Sequence, residues 1–232
     1  MKILAFETTG HTASVAIVDE LGIIAEFTLN RKKNHSVTLM PLVDHALDMS
    51  GLTLSDISYV ALTNGPGSFT GLRLSAASAK ALAHGAKLKI VPVPTLEALA
   101  YNVFMEKRII APIMDARRGE VYACLYLCED GLLKPLTPEL AEDFGMFLDR
   151  VKLLGEPVIF IGDGCLLHEK AIVDNAFTIA PYNSLLQRAS SVGMLALGRA
   201  AQGLAIDYNE LEILYLRKPQ AEREYEERNQ DS

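Results

Sequence analysis

The order of the apolar runs constrains this fold more tightly than any other feature. Residues 2–8 (KILAFET) are a short continuous apolar run and residues 12–19 (TASVAIVD) alternate small polar with apolar side chains. Residues 23–30 (IIAEFTLN) return after a Glu20-Leu21-Gly22 turn. Runs of this length read as strands, the last two forming a hairpin. The period then changes: Leu39, Leu42, Val43 and Ala46 fall at i, i+3, i+4 and i+7, which predicts a helix over 35–49. Proline is tolerated only near a helix start, so Pro41 points to Thr38 as N-cap, an earlier start requiring a kink, and Gly51 stops the helix. Residues 57–63 read as the fourth strand and 69–84 as a helix ended by Gly85. Residues 89–93 follow as the fifth strand, and 94–104 as a helix opened by Pro94.

That order, β-β-β-α-β-α-β-α, then restarts. Residues 108–116 and 119–128 read as strands, 138–153 as a helix, 157–164 as a strand and 184–203 as a long helix. The two halves share order but little residue identity, the mark of duplication at the level of the fold. The expectation is an α/β protein of two halves, each a mixed five-stranded sheet with helices. The first half spans 1–105 and the second 106–204. The tail, 205–232, is expected to pack back on the first half, with its charged end, EREYEERNQDS, frayed.

Half of the 232 residues are hydrophobic, enough for two modest cores, and the net charge is −7. An acidic chain does not attract phosphate backbones over its whole surface. The short basic clusters Arg31-Lys32-Lys33, Arg117-Arg118 and Arg217-Lys218 read as solvated faces. The three cysteines, Cys124, Cys128 and Cys165, include no CxxC pair, which argues against a disulfide framework or a zinc site. Cys124 and Cys128 are expected on one face of one strand, in the core. No leader pattern and no run of about 18 apolar residues occurs, so a soluble cytoplasmic protein is expected.

The stretch NGPGSFTGLR, residues 64–73, has three glycines in ten residues. It is no Walker A loop, which needs GxxxxGK[ST]. A strand–glycine–helix turn can still hold an anion at the helix N-terminus, through Gly65, Gly67, Ser68, Thr70 and Arg73. The helix that follows carries small residues at i+4 spacing, Gly71, Ser75, Ala79 and Ala83. Such a face lets another helix approach closely. One reading packs it on the protein's own sheet. The other makes it a docking surface, with Phe69, Leu72, Ser75, Ala76, Ala79, Lys80 and Ala83 beside Leu39, Leu42, Val43 and Ala46 of the 35–49 helix. Few polar positions remain on either helix, which favours docking.

The segments KILAFETT, NHSVTLMPLVDHAL, NGPGSFTGLRLSAASAKALAHG, PTLEALA, MDARRGEVYA, GDG and YLRKP occur in that order. Together they resemble the TsaB (formerly YeaZ) family, the dimerisation subunit of bacterial tRNA threonylcarbamoyladenosine synthase, over essentially the whole chain. The resemblance implies two actin-like (ribonuclease H-like) halves of the actin-like ATPase superfamily. It implies a TsaD-like catalytic paralogue as partner through the glycine-loop helix region, and a homodimer when alone. It also implies a TsaE-like ATPase in the complex, ATP used by the whole complex, and tRNA met through the complex. The reaction is N6-threonylcarbamoylation of the adenosine beside the anticodon in tRNAs reading codons that begin with A.

The resemblance also implies that this chain does not carry the chemistry. The paralogue has an HxEGH-type run on the third helix of its first half. Here the run reads Thr95-Leu96-Glu97-Ala98-Leu99, and the five histidines make no HxxxH pair, so no metal is expected. Glu7-Thr8-Thr9-Gly10 stands where the superfamily has an early Asp, which leaves nucleotide binding open. Asp115-Ala116-Arg117-Arg118-Gly119 replaces a Gly-rich phosphate hairpin. Its arginines are expected to make salt bridges across the cleft with Asp115, and anion binding is the alternative. Asp163 reads as a turn residue, or as a nucleotide contact. The opposing hypothesis is a small actin-fold kinase using Glu7, Asp115 and the glycine loop. No GxSxG elbow or other protease constellation occurs.

Overall fold

The computed structural model describes residues 1–31, 34–105 and 107–217. Lys32, Lys33, Lys218 and the charged tail end therefore lie outside the described residues. The first strands are β1 (Ile3–Glu7), β2 (Ala13–Asp19) and β3 (Gly22–Leu29), followed by α1 (His35–Ser50) and β4 (Tyr59–Thr63). Next come α2 (Phe69–Ala86), β5 (Lys89–Val93) and α3 (Thr95–Ala100). They build a five-stranded sheet in the order β3-β2-β1-β4-β5, with β1 antiparallel to β2 and parallel to β4.

The chain then restarts with β6 (Ile109–Arg117), β7 (Glu120–Ala123), β8 (Tyr126–Glu129), β9 (Leu132–Pro135) and β10 (Leu140–Asp143). After α4 (Phe144–Lys152) come β11 (Val158–Ile161), α5 (Gly164–Asp174) and β12 (Thr178–Ile179). The short α6 (Tyr182–Leu185) and α7 (Ala189–Ala201) complete the helices. The second sheet has seven strands rather than five. Its main path, β10-β7-β6-β11-β12, repeats the pairing senses of the first, and the β8–β9 hairpin is added to β6.

β1 reads as unbroken apolar sequence because both its faces are covered. Leu4 and Phe6 join Leu39, Val43 and Ala79 in the core under α1 and α2. Ile3 and Ala5 join Ala61, Val91, Val192 and Ala196 on the opposite face. Each fully buried Leu, Ile or Phe of this kind contributes about 1.5–3 kcal/mol. Thus α7, late in the chain, packs on the first sheet. The segment after it returns there too: Ile206 bridges Ile90, and the Leu214 N–H donates to the Asn64 carbonyl at 2.8 Å.

Several local expectations are corrected. Asn34, not Thr38, caps α1, its side chain accepting from the Ser36 N–H at 3.2 Å, so Pro41 lies inside the helix. Gly51 does end α1 in the left-handed region (φ 65). α2 runs past Gly85 and stops at Lys87, which takes the left-handed conformation (φ 56). The 119–128 stretch breaks at Cys124-Leu125 into two strands, where the Cys124 thiol donates to the Thr137 carbonyl and the Leu125 N–H to the Thr137 hydroxyl. Cys124 and Cys128 therefore do not share a strand. Helix begins only at Phe144 in 138–153, where Asp143 caps it. α5 gave no clear signal because Leu166 and Leu167 face solvent while only Gly164, Cys165 and Ile172 are buried.

Candidate functional site

The glycine loop is fastened to the turn after β1. The Ser68 N–H donates to the Thr9 carbonyl at 2.8 Å, and the Thr8 hydroxyl donates to the Gly71 carbonyl at 2.8 Å. Ser68 caps α2, accepting from the Gly71 N–H at 3.3 Å. A Cβ at Gly67 would stand 2.6 Å from Thr9 Cβ, and one at Gly65 would stand 2.2 Å from the Leu214 carbonyl oxygen. The glycines are thus required by close backbone approach.

Between this loop and the second half lies a cleft of about 500 Å³. Gly67, Ser68, Phe69 and Thr70 line one wall, Asp115, Arg117 and Asp163 the other, and residues 214–217 close one side. Of the expected anion-loop residues, Gly65 and Arg73 do not line it. The Arg73 guanidinium lies 3.9 Å over the Phe69 ring, and its Nε donates to the Tyr215 hydroxyl at 3.3 Å.

Asp163 is more than a turn residue. It is 6% exposed, its Oδ1 accepts from the Asp115 N–H at 3.2 Å, and its Oδ2 stands 3.9 Å from His11 Nε2. Burial pushes its carboxyl above the usual range. Arg117, Arg118 and Gly119 take successive positive φ of 69°, 59° and 79°, so the hairpin keeps a glycine-like backbone with two arginines in it. The expected bridge across the cleft is not made by Arg117, which pairs with Asp115 of its own strand at 3.1 Å. Arg217 makes the crossing instead. Its guanidinium donates to the carbonyls of Ala116 and Arg117 and pairs with Glu120 at 2.7 Å. Glu7 is fully buried beneath the cleft, and burial raises its pKa against the hydrogen bonds from Thr9 that lower it.

On α3, Thr95 and Leu99 are buried, and Glu97 is ion-paired with Arg199 of α7. Among the described residues, no group of three or more His, Cys, Asp or Glu is placed to hold a metal. A second hollow, of about 480 Å³, opens beside this pair, lined by Cys124, Tyr126, Thr137 and Glu139 among others. Burial, then the charge of Glu97, pushes the Glu139 carboxyl from 4.5 to about 7. A carboxyl raised in the folded state binds its proton more tightly there than in the unfolded chain. Its contribution to stability is full below pH 4.5 and lost as pH rises through about 7. Urea unfolding of the Glu139→Gln variant is expected to show a flatter stability profile across that window than the wild type. An unchanged profile would refute the assignment.

The proposed docking residues are mostly turned inward. Leu39, Val43 and Ala46 of α1, and Leu72, Ser75, Ala76, Ala79 and Ala83 of α2, are buried within the single chain. Leu42, Phe69 and Lys80 are half-buried. This corrects the expectation that they form the outer face: the small stripe of α2 is what lets the helix lie close on its own sheet and on α1. The outward face carries Val37 and Met49 of α1, at 66% and 68% exposure, and Arg73, Ala77, Ala81 and His84 of α2.

Over 226 residues the chain is 36% identical to the tRNA threonylcarbamoyladenosine biosynthesis protein TsaB of Bacillus subtilis, covering 97% of this chain and 98% of that one. The protein of the same name in Escherichia coli is 30% identical over 94% of this chain and 95% of its own. The chain belongs to the TsaB family. Residues 22–225 of this TsaB-family chain also match the model of the family described as "TsaD: tRNA N6-adenosine threonylcarbamoyltransferase". Its fold matches a solved Pseudomonas aeruginosa protein described as similar to peptidase YeaZ. The TM-score is 0.79 at 25% identity, over 93% of this chain and 99% of that one. The actin-like fold is shared more distantly with the activator of 2-hydroxyisocaproyl-CoA dehydratase from Clostridium difficile, solved with bound ADPNP. There the TM-score is 0.51 at 13% identity, over 92% of this chain and 99% of that one. In this TsaB-family chain, no helix among the described residues is long and apolar enough to cross a membrane.

Proposed function

We propose that this chain is a non-catalytic subunit for tRNA threonylcarbamoyladenosine synthesis. It binds and activates a TsaD-like catalytic paralogue that modifies N6 of the anticodon-adjacent adenosine. The observation that carries the reading is on α3. Where the paralogue's resemblance calls for two imidazoles, Thr95 and Leu99 are buried, and Glu97 between them is held by Arg199. The chain keeps the fold of the catalytic half-pair while its own α3 has no ligand pair to offer a metal. A TsaE-like ATPase and tRNA join through the complex, in the cytoplasm, and ATP is consumed there.

The docking surface in this reading is the outward side of α1 and α2, which exposes Val37 and Met49 near the two ends of α1, and Ala77 and Ala81 of α2. The same side pairs two copies when the chain is alone. Size-exclusion chromatography with light scattering, on the chain alone and mixed with the TsaD-like paralogue of the same genome, tests it. A homodimer that exchanges into a one-to-one heterodimer is expected, together with tRNA modification that needs both chains. Met49→Glu and Ala81→Trp are each expected to weaken the heterodimer at least about tenfold, ~1.4 kcal/mol, with the urea midpoint unchanged. Unaltered affinity in both variants would move the interface elsewhere. The kinase reading retains one supporting observation, the cleft of about 500 Å³. Calorimetry with Mg-ATP and turnover by the lone chain would favour it.

A further inference from the structure

Seven buried side-chain atoms lack a hydrogen-bond partner among the described residues, and five belong to four residues at or next to the ends of β1, β4 and β5 and the start of α7. They are Glu7 Oε2, Thr63 Oγ1, Thr95 Oγ1 and both amide atoms of Gln187. Strand register brings them together. Phe6 is paired with Leu62 in parallel register, so Glu7 and Thr63 are the next row across β1 and β4. Each lies two residues beyond an alanine, Ala5 and Ala61, that faces α7, so both point to that face. Thr63 is level with Val93 of β5, and Thr95 follows two residues later, its N–H donating to the Gly65 carbonyl at 2.8 Å. Gln187 comes in from the segment before α7. Its amide lies against Gly10, and its backbone carbonyl accepts from the Thr12 hydroxyl at 3.0 Å. Glu7, Thr63 and Thr95 are 0% exposed, and Gln187 is 2% exposed.

Buried polar atoms are nearly always satisfied, by protein, water or an ion. This corner also holds a charge problem. Burial raises the Glu7 pKa, while its Oε1 accepts from the Thr9 N–H at 2.6 Å and from the Thr9 hydroxyl, contacts that favour the ionised carboxylate. The charge acting on it from Asp163 is of like sign. The Thr63 hydroxyl is near enough to steady the carboxylate yet outside hydrogen-bond geometry. A proton on Oε2 would satisfy one or two of these atoms. A cation among the oxygens would satisfy four at once and neutralise the charge.

The donor set selects the ion. One carboxylate, two hydroxyls and one amide oxygen are hard ligands with no nitrogen or sulfur, which disfavours zinc and copper. Among the four ligands only Glu7 is a carboxylate, so a monovalent ion leaves the ligand set neutral, with the Asp163 charge acting from outside it. We propose that Glu7, Thr63, Thr95 and Gln187 form a buried site for a monovalent alkali cation, potassium or sodium, beneath the turn that carries the glycine loop. The ion ties the ends of β1 and β4 to the starts of α3 and α7, and so fixes the floor of the cleft.

The test is urea unfolding of the full chain in potassium, sodium and tetramethylammonium chloride at equal ionic strength. The fitting alkali ion is expected to shift the folding equilibrium saturably, by about a hundredfold at a hundred times its dissociation constant. Tetramethylammonium, too large for the corner, gives no such shift. The difference between the potassium and sodium curves identifies the ion. Glu7→Gln, which keeps the shape and removes the charge, is expected to abolish the response. Crystals of the wild-type chain soaked in thallium(I), a potassium mimic, provide a readout that does not depend on any variant folding. An anomalous peak bounded by these four side chains supports the site. Identical unfolding in the three salts with no anomalous peak overturns it and leaves Glu7 carrying a proton.

Discussion

The Ala79→Trp variant is expected to be strongly destabilised. Ala79 is 0% exposed and packs in the core formed with Leu4, Phe6, Leu39 and Val43. α2 covers β4 there, and an indole has no space between helix and sheet. Overpacking a closed core costs about 1–3 kcal/mol and more when the backbone cannot yield. A domain of this kind has only about 5–15 kcal/mol in hand. The urea midpoint is expected to fall sharply, with soluble yield falling alongside it. Partner association would weaken as a consequence of the smaller folded fraction. Ala81→Trp, two residues on and exposed, is the matched control. It is expected to leave the midpoint unchanged while disturbing association. Ala79→Trp with a wild-type midpoint would place that face of α2 outside the core and restore it as a docking stripe.

This contrast shows what was legible in the sequence. The strands were readable because β1, β4 and β5 are covered on both faces, and double burial leaves continuous apolar runs. The repeat of order was readable for the same reason. The direction of a small-residue face was not. Gly71, Ser75, Ala79 and Ala83 permit close approach to anything, and the spacing does not say whether the neighbour is the chain's own sheet or another molecule. Pro41 misled for a related reason: the rule that breaks helices concerns one missing N–H, and tertiary burial of Leu39, Val43 and Ala46 holds α1 through it. Asp115 and Arg117 were correctly placed beside each other, but the residue that crosses the cleft, Arg217, sits in a tail with no periodic signal. Its place in the YLRKP segment and in the Arg217-Lys218 pair marked it, and that pair reads as a solvated face. The separation of β7 from β8 was hidden because 121–128 is apolar without interruption, and its break depends on Thr137, which no local pattern couples to Cys124.

Gly71→Ala is expected to be severely destabilising although it adds a single methyl group to a helix. Its backbone is ordinary for a helix, so strain in φ is not the cause. A Cβ there would stand 2.0 Å from the carbonyl oxygen of Thr8 and 3.0 Å from its carbon. Those atoms are backbone, and they are pinned: the Thr8 hydroxyl donates to the Gly71 carbonyl, and the Thr9 carbonyl accepts from the Ser68 N–H. Relief requires α2 to lift off the turn after β1, breaking both bonds and unseating Leu72 and Ala76 from the core. The expected loss is about 3 kcal/mol, at the upper end for overpacking. Gly85, on the same helix, has nothing within 4 Å of its would-be Cβ. Gly85→Ala is therefore expected to stabilise the chain by about 0.5–1 kcal/mol through helix propensity and reduced freedom of the unfolded state. Opposite signs for the same substitution at two positions of one helix, read as urea midpoints, would mean that the glycine loop is an interlock between β1 and α2. Equal and small effects would mean that the turn after β1 can give way, and that the loop's glycines serve something other than packing.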